Sequence, residues 1–110
     1  MTYKPFDIVA VPFPFTDHSA TRRRPAVVLS SATFNQTHDQ LILAMVTLAA
    51  NSSWDSDVRL EEPEVAGLKP GSIVRMKLFT LDRELVIRTV GRLSDGDMAR
   101  VGKMARGVMG

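Results

Sequence analysis

From Asp7 to Leu93 one short apolar run follows another, and no stretch of helical periodicity joins any two of them. Parallel strands need a long crossover, usually a helix, so a chain patterned like this lays its strands antiparallel. "DIVAV" opens the series as a strand over Asp7–Val11, halted by Pro12 and Pro14, which cannot donate to a ladder. "AVVLSS" follows Pro25, with Arg24, Ala26 and Val28 on one face and Val27 and Leu29 on the other. The polar "ATFNQTHDQ" reads as a connection, and "LILAMVT" is a continuous apolar run of strand length, buried on both faces and ending at Thr47. "DVRLE" alternates, with Val58 and Leu60 inward, and "EEPEVAGLKPG" is a turn-rich connector. "SIVRMKLF", Ser72 to Phe79, alternates again, setting Arg75 and Lys77 on the face opposite Val74, Met76 and Leu78. "LDR" turns into a further strand, "ELVIRTVGRL".

Only the last segment has a helical repeat. Ser94 is its N-cap, with Asp97 three residues on as in a capping box, and Met98, Val101, Ala105 and Met109 form one stripe. Internal glycines weaken this helix by roughly 1 kcal/mol each. Five or six short strands and a terminal helix predict one mainly β domain over residues 1–110, a small, strongly curved antiparallel sheet or partly open barrel.

Several function classes drop out on composition. The 110 residues contain no cysteine, so a disulfide framework and a thiolate metal site are both impossible. The apolar run Leu41–Ala50 is about half the ~20 residues that span a bilayer as a helix. The "MTYKPFDIV" start lacks the pattern of a secretory signal, so the expected location is cytoplasmic, with no membrane partner. A net charge of +2 is a weak pull toward polyanions, but its distribution is uneven. Residues 53–64 carry one arginine against five acids, and residues 65–110 carry nine lysines and arginines against four acids.

The densest charge is "TRRRP", where Arg22, Arg23 and Arg24 run into Pro25 at the start of the second strand. Before it lies a polar loop holding His18 and Ser19, the natural place for chemistry on a β scaffold. Charges at a strand end also serve simply to deter edge pairing, a strand-end threonine is usually structural, and Arg75 and Lys77 could form only a wet face. Trp54, the lone tryptophan, sits in the polar stretch "NSSWDSD", where it could stack a base, close a dimer contact or accept a partner's side chain.

Taken in order, "DIVAVPFPFTD", "RRRPAVVLSS", the strand ending "MVT", "GSIVRMKLFTLDR" and "VGRLS" before a terminal helix resemble the MazF/PemK-type toxins of bacterial type II toxin–antitoxin modules. The resemblance implies an SH3-like or CcdB-like β-barrel, a homodimer, and a cognate antitoxin chain as partner. It also implies metal-independent, sequence-selective cleavage of single-stranded RNA, without a cofactor. Arg24 matches the family's essential arginine, Thr47 its strand-end threonine, and His18, by spacing, a histidine some members use for proton transfer. A guanidinium offers two donors to the oxygens of a pentavalent phosphorane, and an imidazole titrates near neutrality. Arg22, Arg23, Ser19, Arg75, Lys77 and Trp54 are then the expected RNA contacts. Two positions depart from the family: Lys77 stands where some members carry a carboxylate, and Phe6 replaces the usual glycine before the first strand, read as a packing change. Two other functions fit the same fold, a gyrase-directed toxin that cuts nothing and a non-catalytic RNA-binding barrel.

Overall fold

A computed structural model describes residues 2–13, 22–50 and 53–110. Six strands, β1 (Asp7–Phe13), β2 (Arg22–Val28), β3 (Gln40–Leu48), β4 (Val58–Arg59), β5 (Ser72–Asp82) and β6 (Arg88–Arg92), form one sheet in the order β4-β5-β3-β2-β1-β6. Every pairing is antiparallel, as the missing crossovers require. The sheet curls into a half-barrel, and the C-terminal helix α2 (Asp95–Met109) packs against it.

Strand alternation sorts the apolar residues into two cores. On one face Ile8, Val27, Ala44, Val46, Val74 and Met76 pack with Val101 and Ala105 of α2. The other face gathers Val9, Val11, Ala26, Val28, Leu41, Leu43 and Leu81. β3 contributes to both, which explains its uninterrupted apolar run. Phe79 and Leu78 also go to opposite faces, across an irregularity that leaves Met76 and Lys77 without counterparts on β3.

The polar "ATFNQTH" is a short helix, α1 (Ala32–His38), where a connection was expected. Its Ser31 N-cap accepts from the Phe34 amide at 3.1 Å, and Asp39 ends it in the left-handed region. Asn35, buried within it, donates to the Tyr3 and Ser30 carbonyls and accepts from the Ser30 hydroxyl. The helix rests on these polar bonds, so no apolar stripe announced it. The expected "DVRLE" strand shrinks to the two residues of β4, and "EEPEVAG" forms a 3-10 turn over Pro63–Ala66.

Ser94 caps α2 as expected, accepting from the Asp97 amide at 3.2 Å. The Asp97 carboxylate leaves the capping box and reaches across to the amides of Glu61 and Glu62, both at 3.0 Å, and to Arg100 at 2.6 Å. The helix is thereby tied to the segment after β4. Of the expected stripe, Val101 and Ala105 are buried and Met98 packs at the edge, whereas Met109 is exposed past the sheet.

Two backbone positions bear on packing. Phe6 has φ +74°, a conformation that favours glycine, so the ring there must compensate for strain. It does so by packing on the first core and against α2, where a Cβ on Gly102 would lie 3.2 Å from the Phe6 ring. Gly91 of β6 runs so close to the 3-10 turn that a Cβ would sit 2.5 Å from the Ala66 carbonyl oxygen. Gly91→Ala is therefore expected to destabilise by about 1–3 kcal/mol, because backbone on both sides must move. A thermal melt several degrees below wild type checks this.

Candidate functional site

The site begins with a proline in a central strand. Leu29 donates to the Ile42 carbonyl at 2.8 Å, so the β2 residues whose amides face β3 are 29, 27 and 25. Pro25 has no N–H to give. The β2–β3 ladder stops beside it, at Ala26–Met45, although β2 continues along β1 to Arg22–Phe13 and β3 along β5 to Leu48–Ser72. The hydrogen-bonded ladder between two central strands thus ends in mid-sheet.

The gap in the ladder opens into a cleft of about 540 Å³. Arg22–Pro25 form one lip and Val46–Leu48 the other, with Ala10 between strands and the 67–69 loop, Ser72, Arg88 and Val90 beyond. Extending the β2–β3 register by two residues sets Arg24 across the gap from Thr47. Both residues named on sequence grounds for phosphate chemistry are therefore among those that line one cavity. The Arg24 guanidinium lies 5.4 Å from the centre of the Phe13 ring, a cation–π contact that restricts its swing, and Thr47 is almost wholly buried.

Five cationic residues line the cleft, Arg22, Arg23, Arg24, Lys69 and Arg88, and no acidic residue does among the described residues. Lys69 and Arg88 were not singled out from the sequence. Arg88 arrives because β6 pairs with β1 at Ala10, the residue whose other neighbour is Pro25. The only local hint was that "VIRTVGR" places an arginine at each end of a strand.

Arg75 behaves differently from a wet basic face. It is nine-tenths buried and grips Asp57 with both arms of its fork, Nε to Oδ1 at 3.0 Å and Nη2 to Oδ2 at 2.9 Å. The Trp54 ring lies 5.4 Å from the guanidinium carbon. The hydrogen bonds from Arg75, aided by the Trp54 amide, hold the Asp57 carboxyl below its ordinary range against the opposing effect of burial. Lys77 is exposed within the β5 irregularity. Arg22 and Arg23 are exposed on the lip. His18 and Ser19 lie outside the described residues. His38 ends α1, its ring 4.8 Å from that of Phe34. Among the described residues no group of three or more His, Asp or Glu could hold a metal ion, and no helix is long and apolar enough to cross a membrane.

A model of the PemK-like, MazF-like toxins of type II toxin–antitoxin systems matches residues 4–108. The chain belongs to this family. Curated proteins gave no match. Among solved structures, this PemK/MazF-like toxin is similar to the MazF of a MazE–MazF crystal from Deinococcus radiodurans, at 19% identity and TM-score 0.76, covering 99% of this chain and 97% of that one. It is also similar to an endoribonuclease in complex with its cognate antitoxin from a mycobacterial species, at 10% identity and TM-score 0.75, over 97% and 94% of the two chains. The Mycobacterium tuberculosis toxin MazF-mt6 aligns at 15% identity and TM-score 0.73, over 94% and 95%. At these identities the likeness is one of fold.

Proposed function

We propose that this toxin is an endoribonuclease that cleaves single-stranded RNA without a metal, with the scissile phosphate seated between Arg24 and Thr47. The observation that carries the reading is the interrupted β2–β3 ladder, beyond which an arginine and a threonine line a cleft with five cationic residues and no carboxylate among the described residues. The 2′-oxygen of the ribose attacks phosphorus, the new O2′–P bond forms, and the P–O5′ bond breaks. The products are a 2′,3′-cyclic phosphate and a 5′-hydroxyl, and the proton lost from O2′ is balanced by one gained at O5′. Negative charge grows on the non-bridging oxygens. Arg24 meets it with two parallel donors in a partly enclosed site, and the Thr47 hydroxyl adds a third. His18 is the proposed proton carrier, because Lys77 stands where some members of the family carry a carboxylate. Ser19, beside it, is proposed to contact the RNA.

Arg22, Arg23, Lys77, Lys69 and Arg88 are proposed to hold the flanking phosphates. Each phosphate neutralised on a single strand contributes about −0.7 to the slope of log K against log salt, so Arg88→Ala should flatten the slope by about that amount. Binding of a 2′-O-methyl oligonucleotide at several salt concentrations measures it. A homodimer and a cognate antitoxin complete the proposal, the antitoxin as an acidic and apolar segment that covers the same cations. It acts within the cytoplasm.

The test is incubation of purified protein with a long RNA in EDTA, followed by end-group analysis. Discrete cuts with 5′-hydroxyl ends are expected. A strict need for added magnesium overturns the mechanism. Binding without product would leave an RNA-binding barrel, and neither binding nor product a toxin aimed at a protein such as gyrase.

A further inference from the structure

Strand register carries Arg24, Thr47 and Arg75 onto one face of the sheet. Thr47 pairs with Ile73 and Met45 with Arg75, and residues two apart on a strand share a face. Arg75 is thus the diagonal neighbour of Thr47, at a Cα separation of about 7–8 Å. Its charge is already matched by the two-pronged bond to Asp57. What it presents outward is the indole of Trp54.

That ring is held from below and behind. The Trp54 amide donates to Asp57 Oδ2 at 2.8 Å, and the Asp57 amide donates back to the Trp54 carbonyl at 3.0 Å, closing a turn that Arg75 pins to β5. Yet the residue keeps 43% of its surface in solvent, and Leu48, one position beyond Thr47, is equally exposed. An aromatic fixed by an ion-paired turn, partly exposed and set over the diagonal neighbour of Thr47, fits a flat apolar ligand attached to a phosphodiester. A nucleobase of a single strand is such a ligand, and little conformational freedom is lost when it stacks on a ring already held still.

We propose that Trp54 is a stacking platform for a nucleobase flanking the scissile phosphate, and that Arg75 and Asp57 are positioning residues that hold it there. The proposal rests on the RNA-cleavage reading and deepens it: the platform helps choose where the strand is cut.

Trp54 is the only tryptophan, so intrinsic fluorescence reports on it alone. A 2′-O-methyl oligonucleotide, which lacks the attacking hydroxyl, serves as probe, with an end label whose anisotropy measures total binding. Saturable quenching that tracks the anisotropy is expected, and quenching should vanish with an abasic unit at one position of the strand. Trp54→Ala should weaken binding roughly 10- to 100-fold and change the preferred base at one position of the cut site, while Trp54→Phe restores both in part. Asp57→Asn should broaden the base preference with Trp54 still present. Binding without any fluorescence change overturns the platform and leaves the RNA reading standing. A fluorescence change that follows protein concentration without RNA assigns the ring to a second copy of the chain and overturns it as well. Absence of binding by anisotropy removes the RNA reading itself, and the platform with it.

Discussion

Arg24→Ala is expected to lower the single-turnover rate of RNA cleavage by about 10²–10³-fold, or roughly 3–4 kcal/mol of transition-state stabilisation, the effect of removing one preorganised oxyanion donor. Binding should change far less, because Arg22, Arg23, Lys69 and Arg88 remain in the cleft to hold the strand. The loss belongs in the chemical step for a geometric reason. Charge on the non-bridging oxygens peaks at the five-coordinate phosphorus, and only a donor fixed across the gap from Thr47 meets it there. Arg24→Lys keeps the charge and loses the planar fork, so it should recover only part of the rate. The fold should survive both changes, since Arg24 lies beyond the end of the β2–β3 ladder and its contact with the Phe13 ring is worth about 0.5–1 kcal/mol. A variant that cuts RNA at the wild-type rate would end the assignment of Arg24.

The largest loss of stability is expected at Asp97. Its side chain is 1% exposed and serves three donors, the amides of Glu61 and Glu62 and the guanidinium of Arg100. Asp97→Ala takes the acceptor from two part-buried backbone N–H groups, at about 1–3 kcal/mol for each left unmet, and one bond from Arg100, which keeps the Arg59 carbonyl and Glu61. A total of about 3 kcal/mol or more is a large share of the 5–15 kcal/mol that holds a typical domain together. Asp97→Asn should fall between, because its amide offers one accepting oxygen where the carboxylate offers two. Urea titration followed by circular dichroism measures both.

The same carboxylate sets a pH dependence. Burial pushes the Asp97 carboxyl up, but the bonds from Glu61, Glu62 and Arg100 outweigh it and hold the group below its ordinary value of 3.8. Asp57 is likewise held low, chiefly by Arg75. A carboxyl whose folded value lies below its unfolded value stabilises the protein fully above the unfolded value and ceases to as pH falls through the folded one. Wild type should therefore lose urea resistance below about pH 4. Asp97→Ala should show a shallower loss over the same range, and an identical pH profile would refute the linkage.

Much of the fold is legible locally. A run such as "LILAMVT" must be buried on both sides and a serine before an amphipathic repeat must cap a helix, whereas "SIVRMK", read as alternating, is buried at every position from Ser72 to Met76. These patterns depend on residues within a turn or two of one another, and so does the proximity of Arg24 to Pro25. α1 was illegible because it is held by a serine cap and a buried asparagine, whose partners Tyr3 and Ser30 have no fixed spacing signal.

Local pattern is enough for an antiparallel sheet with a closing helix, and for an arginine set against a proline where a ladder would have to end. Which of the chain's charges are paired depends on contacts between distant segments. Arg75, one step along a basic-looking strand, is consumed by Asp57 from a loop 18 residues away, whereas Arg88 is carried by β6 to the cleft mouth beside residues more than 60 positions earlier in the chain. Periodicity reports whether a side chain faces a core. Whether a charge is paired or bare depends on the register between distant strands, and the hydrophobic pattern of any one strand contains no record of its neighbour's charges.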